Sequence, residues 1–311
     1  MAFLKAFGRY VPERVVSNTE LAVRLECTPE WILGASGIAE RRFAAEGESV
    51  VEMAVAAARD CLRRAALNTV DIGMLVVSSG SSERRFPGPA AQVAQQLGCG
   101  PIPAWDLPLA SAGGLFGMSL ANAMALQYGN VMVVASEKMS ALSMREPLDR
   151  NVAILFGDGA GACLISARDG FAAITREVLH SDGSFADDLR AGWDGSLHMD
   201  GRSIILQAGR KLPGGIAEAL GQAGLAAAQV ETFLMHQANQ NLIDRVAKVL
   251  GVPSTGFYSN IQRYGNTSSA SMLIAAAEYF AESPMTARPV VFAAFGAGLH
   301  WGAMLAEQST A

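Results

Sequence analysis

The 311-residue sequence lacks several features that would define other classes of protein. No apolar run is long and clean enough to cross a bilayer. The first 16 residues, MAFLKAFGRYVPERVV, lack the charged, apolar and small-residue pattern of a signal peptide. The 24 basic residues are scattered and outnumbered by 29 acidic ones, which argues against a nucleic-acid-binding surface. We therefore expect a soluble cytoplasmic protein with neither nucleic acid nor a membrane as partner.

Cysteine is scarce as well. The four cysteines, Cys27, Cys61, Cys99 and Cys163, show no close pairing, and we expect buried or half-buried free thiols. The four histidines show no metal-ligand spacing with these cysteines. The sequence therefore predicts no metal site and no bound cofactor.

Helical and strand-like segments alternate along the chain, a pattern typical of a layered α/β fold. The stretch SVVEMAVAAARDCLRRAAL is predicted to be a helix, with Ser49 and Glu52 as its capping box. Short apolar runs such as IGMLVVSSG and NVMVVASE suit strands that are covered on both faces.

The second half of the chain repeats the order of the first. TVDIGMLVVSSG has a counterpart in QVETFLMHQANQ, and GNVMVVASE has one in ARPVVFAAFG. This order suggests a duplicated unit, with halves at residues 1–170 and 171–311, although any α/β chain shows some such echoes. Two halves of this kind would bring their strand ends to a shared cleft, where open α/β sheets bind ligands.

The stretch DLPLASAGGLFG, residues 106–117, is the strongest candidate for a nucleophile. It places Ser111 between a predicted strand and the predicted start of a helix. A side chain on such a turn is exposed, and the backbone N–H groups of the helix start point toward whatever it attacks.

Two further candidates lie in the second half. His236 follows a predicted strand in LMHQANQN, where a histidine can act as an acid, a base or a hydrogen-bonding group. Asn266 lies in RYGNTSSAS, in which Thr267 and Ser268 are expected to cap the next helix. Taken alone, His236 could equally be structural and Asn266 a helix cap.

Two glycine-rich turns need an interpretation. LFGDGAGACLIS has the spacing of a dinucleotide-binding loop, but Asp158 would repel phosphate and ACLIS is predicted to continue as a strand. FGAGLHWGAML is predicted to be a tight turn between strands. Each turn could allow close backbone approach to a reacting centre, or could serve turn geometry alone.

Together these motifs resemble the β-ketoacyl-acyl-carrier-protein synthase III family of the thiolase-like superfamily. HQAN, GNTSSAS and FGDGAGA carry the resemblance, which runs from GRYVPERVVSN to FGAGLHWGAML. It implies a five-layered αβαβα fold of two similar halves, and a homodimer. It also implies an acyltransferase that uses a coenzyme A thioester as substrate and needs no cofactor.

The resemblance assigns a catalytic triad of Cys, His and Asn, and Ser111 stands at the place of the cysteine, with His236 and Asn266 in the other two. The family moves an acyl group from coenzyme A onto the nucleophile. A malonyl-carrier protein then loses carbon dioxide, and the carbanion attacks the acyl group. Backbone N–H groups of Ser111 and of the turn Gly296, Ala297 and Gly298 would bind the oxyanion.

Other positions carry over from the same resemblance. Trp31 and Arg150 would hold the adenine of coenzyme A between them, and Ala238 and Asn239 would also contact coenzyme A. Phe86 would reach across the dimer to close the partner's acyl pocket.

Three positions depart from the family pattern. An arginine that follows the tryptophan in the family is Ala35 here, and a Leu-Arg pair after HQAN is Gln240 and Asn241. The family's arginine after HQAN helps to dock the carrier protein. Because this chain lacks that arginine, the acyl acceptor could be a carrier protein or another molecule.

Serine at position 111 leaves three accounts open. A hydroxyl is a far weaker acid than a thiol and needs a general base, which His236 could supply if its ring nitrogen reaches the hydroxyl. The chain could be a natural serine variant that passes acyl groups on, as starter-unit enzymes of polyketide pathways do. It could be a cysteine enzyme engineered to carry serine, or a non-catalytic partner subunit. A serine hydrolase is disfavoured because LASAG lacks the glycine before the serine.

Overall fold

The computed structural model describes residues 1–192 and 194–309. The strands of this part are β1 Phe3–Tyr10, β2 Arg14–Ser17, β3 Glu40–Phe43, β4 Met74–Ser78, β5 Ala104–Leu107, β6 Asn130–Lys138, β7 Asp158–Ser166, β8 Ala172–Ser181, β9 Leu189–Ala191, β10 Leu197–Met199, β11 Thr232–Met235, β12 Val290–Gly296 and β13 His300–Gln308. Its α-helices are α1 Asn18–Arg24, α2 Pro29–Ser36, α3 Val50–Ala65, α4 Pro89–Leu97, α5 Gly113–Tyr128, α6 Ser140–Ser143, α7 Arg150–Ala153, α8 Gly201–Ala223, α9 Gln240–Leu250, α10 Ile261–Tyr264 and α11 Ser271–Glu282.

Nine of these strands form one mixed sheet in the order β11-β12-β13-β8-β1-β7-β6-β4-β5. The strands from the first part of the chain lie on one side of the β1–β8 junction and those from the second part on the other. Only two residue pairs join β1 to β8, Phe3 with Ala173 and Leu4 with Ala172. The sheet thus consists of two sets of strands joined by a short seam.

Alternating side chains show how the sheet is layered. On β4, Met74 and Val76 point into the same core as α5 and α11, whereas Leu75 and Val77 pack against α3 and α4. A strand directs successive side chains to opposite faces, so each face of this half of the sheet has its own helices. β12 does the same, with Phe292 in the core shared with α5 and α11.

The opposite face of β12 packs against α8 and α9, which complete the outermost layer. The order of layers is therefore α3/α4, the first set of strands, α5/α11, the second set of strands, and α8/α9. Every residue from Ser271 to Glu278 of α11 is buried, as expected for a helix between two sheets. The thiolase-like five-layered prediction is confirmed, while the boundary at residue 170 stays a prediction.

Three local predictions are also confirmed, on a helix cap, on a strand and on the cysteines. Ser49 and Glu52 form the capping box at the start of α3. ACLIS belongs to β7, so FGDGAGA does not open a helix. The four cysteines are free, with Cys27 half-buried and the other three buried. In the described residues, no helix is long and apolar enough to span a membrane.

Candidate active site

Ser111 lies in the turn between β5 and α5, as predicted. Its backbone φ is +61°, in the left-handed region that non-glycine residues rarely adopt. Helix α5 begins two residues later, at Gly113, and the Ser111 side chain is only 7% exposed. The turn therefore presents the hydroxyl to an interior cavity instead of open solvent.

Ser111, His236 and Asn266 line the same narrow cavity, which encloses about 80 Å³. All three side chains are buried, although they come from a β5–α5 turn, the end of β11 and the segment after α10. The structure thus brings together the hydroxyl, the imidazole and the carboxamide that the sequence placed far apart.

The wall of the cavity is apolar and comes largely from residues that the sequence analysis missed. Its apolar lining consists of Leu155, Phe156, Leu189, Met199, Ile204, Ile205, Ala208, Leu242 and Phe295. Three of these lie on the first turns of α8. The apolar run SIIL at that helix start, which contains the half-exposed Ile205, is the sequence signal that could have found them.

His236 is neutral at physiological pH. Burial lowers the pKa of its ring to about 4 because the charged form loses its water, and a hydrogen bond to the Ser268 carbonyl opposes this only in part. Its Nδ1 lies 2.6 Å from the Ser271 hydroxyl. This contact orients the ring, and Ser271 makes no hydrogen bond to the other ring nitrogen, Nε2.

The Ser271 hydroxyl decides which ring nitrogen carries the proton. It accepts a hydrogen bond from the Gln237 N–H at 3.1 Å, and its single hydrogen has two candidate acceptors. These are the Ser268 carbonyl at 2.9 Å and the Nδ1 of His236. When Ser271 donates to Nδ1, the imidazole proton resides on Nε2, and the ring is then a hydrogen-bond donor there.

Asn266 is held by the glycine-rich segment that precedes β7. Its N–H donates to the Leu155 carbonyl at 2.8 Å, and its carbonyl accepts from the Gly157 N–H at 3.1 Å. A Cβ on Gly157 would lie 2.2 Å from the Tyr264 carbonyl, so only glycine permits this approach. Close backbone approach, one of the two interpretations of FGDGAGA, is what the structure shows.

Asp158, in the same segment, has a structural role. Asp158 is fully buried and accepts hydrogen bonds from the Ala44 N–H at 2.7 Å and from both the N–H and the hydroxyl of Ser140. Burial raises the pKa of its carboxyl, and these hydrogen bonds oppose the rise. The carboxylate ties three chain segments together next to the segment that holds Asn266.

The expected capping of the helix after Asn266 is wrong in detail. The Asn266 Oδ1 itself accepts from the Ser268 N–H at 2.9 Å, and neither Thr267 nor Ser268 caps with its hydroxyl. This leaves the Asn266 Nδ2 with no hydrogen-bond partner among the described residues. The Ser268 hydroxyl instead faces Ser111.

The Ser111 backbone N–H donates to the Ser268 Oγ at 2.9 Å. The oxyanion donor that the resemblance assigns to Ser111 is therefore engaged, and its role toward an oxyanion stays a prediction. The Ser268 Oγ, 3.5 Å away, is the hydrogen-bond partner of the Ser111 hydroxyl within the described chain. His236 makes no hydrogen bond to that hydroxyl, so the geometry does not support it as the base.

The turn after β12 lies against the nucleophile. Gly296 lines the cavity, and a Cβ there would lie 2.3 Å from the Ala110 carbonyl and 3.1 Å from the Ser111 Cβ. Gly298 has a φ of +123°, which side chains rarely tolerate. Ala297 lies between them, and the oxyanion role of this turn stays a prediction.

The residues assigned to coenzyme A are close to each other. The Arg150 guanidinium carbon lies 5.4 Å from the centre of the Trp31 ring. Because a ring stacked between two groups needs about 7 Å, the Arg150 side chain must move for adenine to enter. Ala238 and Asn239 line the cavity, and the Asn239 Nδ2 donates to the Ala35 carbonyl of α2 at 3.0 Å.

Phe86 lies outside this cavity. Its side chain is 84% exposed, and it follows the polar loop after β4.

Gln240 and Asn241, which depart from the family pattern, make hydrogen bonds to nearby residues. Asn241 donates to the Gly34 and Ala35 carbonyls, while Gln240 pairs with Asp244 and Ser259.

Comparison with known proteins identifies the family. Two sequence-family models match, the 3-oxoacyl-[acyl-carrier-protein] synthase III model over residues 105–183 and its C-terminal model over residues 220–308. The β-ketoacyl-[acyl-carrier-protein] synthase III of Chlamydia caviae is 33% identical, over 99% of this chain and 97% of that protein. The chain belongs to the β-ketoacyl-acyl-carrier-protein synthase III family. The prediction of an acyltransferase-type condensing enzyme is confirmed.

Solved structures of family members match the whole fold. The crystal structure of the synthase III from Aquifex aeolicus superposes with a TM-score of 0.94 at 32% identity, covering 99% of this chain and all of that one. The priming β-ketosynthase of the R1128 polyketide pathway superposes with a TM-score of 0.90 at 31% identity, covering 99% and 96%. The likeness thus includes both a protein named as a 3-oxoacyl-[acyl-carrier-protein] synthase III and one named as a priming β-ketosynthase of a polyketide pathway.

Proposed function

We propose that this synthase III family member transfers an acyl group from coenzyme A to Ser111 and then condenses it with a malonyl thioester. The observation that carries the proposal is the burial of Ser111, His236 and Asn266 around one narrow apolar cavity. A cavity of this shape holds a thioester arm away from water.

In the first step, the Ser111 oxygen attacks the thioester carbonyl carbon. A C–O bond forms, the C–S bond breaks, and coenzyme A leaves as its thiol. The turn Gly296–Gly298 lies against the nucleophile, where backbone N–H groups would stabilise the negative oxygen. The product is an oxygen ester, which is less reactive toward a carbanion than the family's thioester, so condensation is expected to be slow.

In the second step, the malonyl group loses carbon dioxide and an enolate forms at its thioester oxygen. A neutral imidazole and a carboxamide suit this step because both can donate hydrogen bonds without offering a competing charge. The low pKa of His236, about 4, keeps the ring neutral, and Asn266 has its Nδ2 without a protein partner in the described residues. The Nε2–H tautomer is the form that acts here, and it requires Ser271 to donate to Nδ1 and not to the Ser268 carbonyl.

The outer part of the substrate site is proposed at Trp31 and Arg150. Arg150 begins α7, five residues before the cavity residue Leu155, and α2 with Trp31 is tied to the cavity residue Asn239 through Ala35. Both side chains therefore lie on elements that run to the cavity, and adenine would displace the guanidinium from the indole.

A homodimer completed by Phe86 and a cytoplasmic location remain part of the proposal. The exposed Phe86 ring and the half-exposed Trp105 on the edge strand β5 support a partner subunit on this side. Coenzyme A acts as substrate, and no cofactor is proposed.

Two other functions stay open under the same geometry. A starter-unit acyltransferase would load Ser111 and pass the group to another acceptor without condensation. A non-catalytic subunit would bind acyl-coenzyme A and not react. Gln240 and Asn241 stand where the family has its docking arginine, and this favours an acyl acceptor other than the family's usual carrier protein.

Intact-protein mass spectrometry distinguishes these functions. The chain is incubated with acetyl-, butyryl- and octanoyl-coenzyme A, alongside Ser111→Ala as control. A mass gain of one acyl group that is lost in Ser111→Ala supports acyl transfer, and added malonyl-carrier protein then reveals whether condensation follows. No gain with any acyl-coenzyme A contradicts the proposal and favours the partner subunit.

A further inference from the structure

A fully buried carboxyl group near the end of β6 connects two distant segments of the chain. The Glu137 Oε2 accepts hydrogen bonds from the Gly80 N–H at 3.0 Å and from the Ser81 hydroxyl at 2.6 Å, both in the loop after β4. Its Oε1 accepts from the Ser269 hydroxyl at 2.6 Å and from the Ser269 N–H at 3.4 Å. Glu137 forms no salt bridge within the described part of the chain. Burial of an acidic group without a counter-ion is costly, so its retention calls for a role.

Ser269 belongs to a serine-rich turn, residues 268–271, that leads into α11. We refer to these four residues as the serine turn. The Ser268 N–H donates to the Asn266 Oδ1 at 2.9 Å, and the Ser268 Oγ accepts from the Ser111 N–H, also at 2.9 Å. The start of the serine turn thus makes hydrogen bonds to two of the three residues of the proposed catalytic triad.

The end of the serine turn contacts the third residue of the triad. The Ser271 Oγ lies 2.6 Å from the His236 Nδ1, and it also accepts a hydrogen bond from the Gln237 N–H at 3.1 Å. All three proposed catalytic residues therefore make hydrogen bonds to one turn of four residues. A shift of this turn would move the hydrogen-bond partners of the whole triad together.

The backbone of the serine turn is strained. Ser268 has a φ of +49°, in the left-handed region that residues other than glycine rarely adopt. Such a conformation persists only where the surrounding structure over-determines it. The contacts of the next residue, Ser269, are therefore expected to hold the turn in place.

Ser269 is packed against the first residues of α5 as well as bonded to Glu137. A Cβ on Gly113 would lie 3.3 Å from the Ser269 Cβ, and a Cβ on Gly114 would lie 2.7 Å from the Ser269 carbonyl oxygen. Only glycine at position 114 permits this approach. The hydrogen bonds to Glu137 thus fix a residue that packs directly against the start of the helix that follows the nucleophile.

We propose that Glu137, acting through Ser269, is the residue that positions the proposed catalytic triad. This inference rests on the proposed acyl transfer from coenzyme A. The Glu137 carboxyl group touches no reacting atom and takes up no proton in either step. It holds Ser269 in place, and the hydrogen bonds of the serine turn then hold the Ser111 backbone, the His236 ring and the Asn266 carboxamide.

Two matched variants separate positioning from stability. Ser81→Ala and Ser269→Ala each remove one buried hydroxyl that donates to Glu137 at 2.6 Å. Ser81 also accepts from the Lys138 N–H at 2.8 Å, so its loss should destabilise the fold at least as much. Only Ser269 lies in the serine turn, and in Ser81→Ala the Gly80 N–H still holds the Glu137 Oε2. Urea unfolding measures the stability of each variant.

The readout of positioning is single-turnover acyl loading, followed by intact-protein mass spectrometry over a range of acetyl-, butyryl- and octanoyl-coenzyme A concentrations. We expect Ser269→Ala to lower the maximal loading rate about 10²-fold, because misplacing a catalytic group by about 1 Å has an effect of this size. The half-saturating concentration should stay unchanged, because none of the residues proposed to hold coenzyme A lies in the serine turn. Ser81→Ala should slow loading less than about threefold, because it moves no catalytic group.

Glu137→Gln tests the carboxyl group itself. The amide replaces one accepting oxygen with an NH2 group, so it cannot accept hydrogen bonds from both segments at once, and loading should slow. Because Glu137 acts through Ser269, the double variant Glu137→Gln/Ser269→Ala should load no more slowly than Ser269→Ala alone. If Ser269→Ala does not fold, the comparison of Glu137→Gln with Ser81→Ala decides, and equal slowing of these two then overturns the proposal.

Equal slowing in Ser269→Ala and Ser81→Ala at equal loss of stability would overturn the positioning role, because a merely structural carboxyl group affects both alike. Unchanged loading in Ser269→Ala would overturn it as well, and so would losses that multiply in the double variant. In each of these cases the unchanged chain still loads, and the proposed acyl transfer stands. If the unchanged chain loads no acyl group, the acyl transfer itself fails, and the positioning role falls with it.

Discussion

Ser268 and the carboxyl of Glu137 take no part in the cavity lining, whereas His236 and Asn266 line the cavity together with Ser111. In the first pair, burial raises the pKa of the Glu137 carboxyl, and hydrogen bonds oppose the rise. The second pair is neutral and lines the cavity. A carboxylate can take up a proton but would repel an enolate, whereas neutral donors stabilise an enolate. The comparison indicates that an enolate in the cavity would meet neutral donors and not a carboxylate.

The largest expected effect comes from Ser111→Cys. A thiol ionises more readily than a hydroxyl, and its thioester reacts faster with the carbanion, so condensation with malonyl-carrier protein should rise roughly 10²–10⁴-fold. The measurement is the rate of β-ketoacyl product formation. A rise of this size is expected if serine replaces an ancestral or natural cysteine, and a flat result would rule out the engineered-cysteine account.

His236→Ala separates the two sides of the comparison. Loss of one oxyanion donor should slow condensation about 10²–10³-fold, while loading of Ser111 changes little. Single-turnover loading and condensation are measured separately for the unchanged chain and for His236→Ala. If His236→Ala abolishes loading, His236 is the base for acyl transfer, and its assignment to the second step alone is wrong.

The neutrality of His236 predicts a pH dependence of stability. Its pKa is lowered from 6.5 to about 4 in the folded chain, so between these values the unfolded state binds a proton that the folded state does not. Stability should therefore fall as pH falls through this window, by up to about 3 kcal/mol from this residue alone.

Urea unfolding at about pH 7 and about pH 4.5 measures this contribution as the difference between the unchanged chain and His236→Ala. The buried carboxyls Glu137 and Asp158, whose pKa values are raised, contribute with the opposite sign and cancel in that difference. Equal pH slopes for the two proteins would show that the ring is not kept neutral by burial.

The smallest expected effect concerns the glycine-rich segment that holds Asn266. Gly157→Ala places a Cβ 2.2 Å from the Tyr264 carbonyl and should cost about 1–3 kcal/mol of unfolding free energy as the segment that holds Asn266 shifts. Gly214→Ala, with open space around its Cβ in α8, is the matched control and should be neutral or stabilising by about 0.5–1 kcal/mol. Similar results for the two variants would remove Gly157 from the account of the site.

The sequence was sufficient for features carried by local pattern or by motif. Alternating apolar runs predicted the layered α/β fold, and the motifs around Ser111, His236 and Asn266 predicted which residues meet in the cavity. These signals are local, because a strand end and the turn after it are encoded within about ten residues.

The links between distant segments could not be predicted in this way. Glu137 and Ser269 are 132 positions apart, and Ser111 and Ser268 are 157 apart. The Ser268 hydroxyl had two possible directions, toward its own helix start or toward Ser111, and in the structure it takes the second. Such choices depend on how the layers pack, which no single stretch of sequence contains.

The most direct test of the central claim is to locate the acyl group. The chain is incubated with acetyl-, butyryl- or octanoyl-coenzyme A, digested, and the acylated peptide is sequenced by tandem mass spectrometry. The account predicts one acyl group, on the Ser111 oxygen of the peptide that contains LASAGG. An acyl group on any other residue, or none on Ser111 when coenzyme A is released, would contradict it.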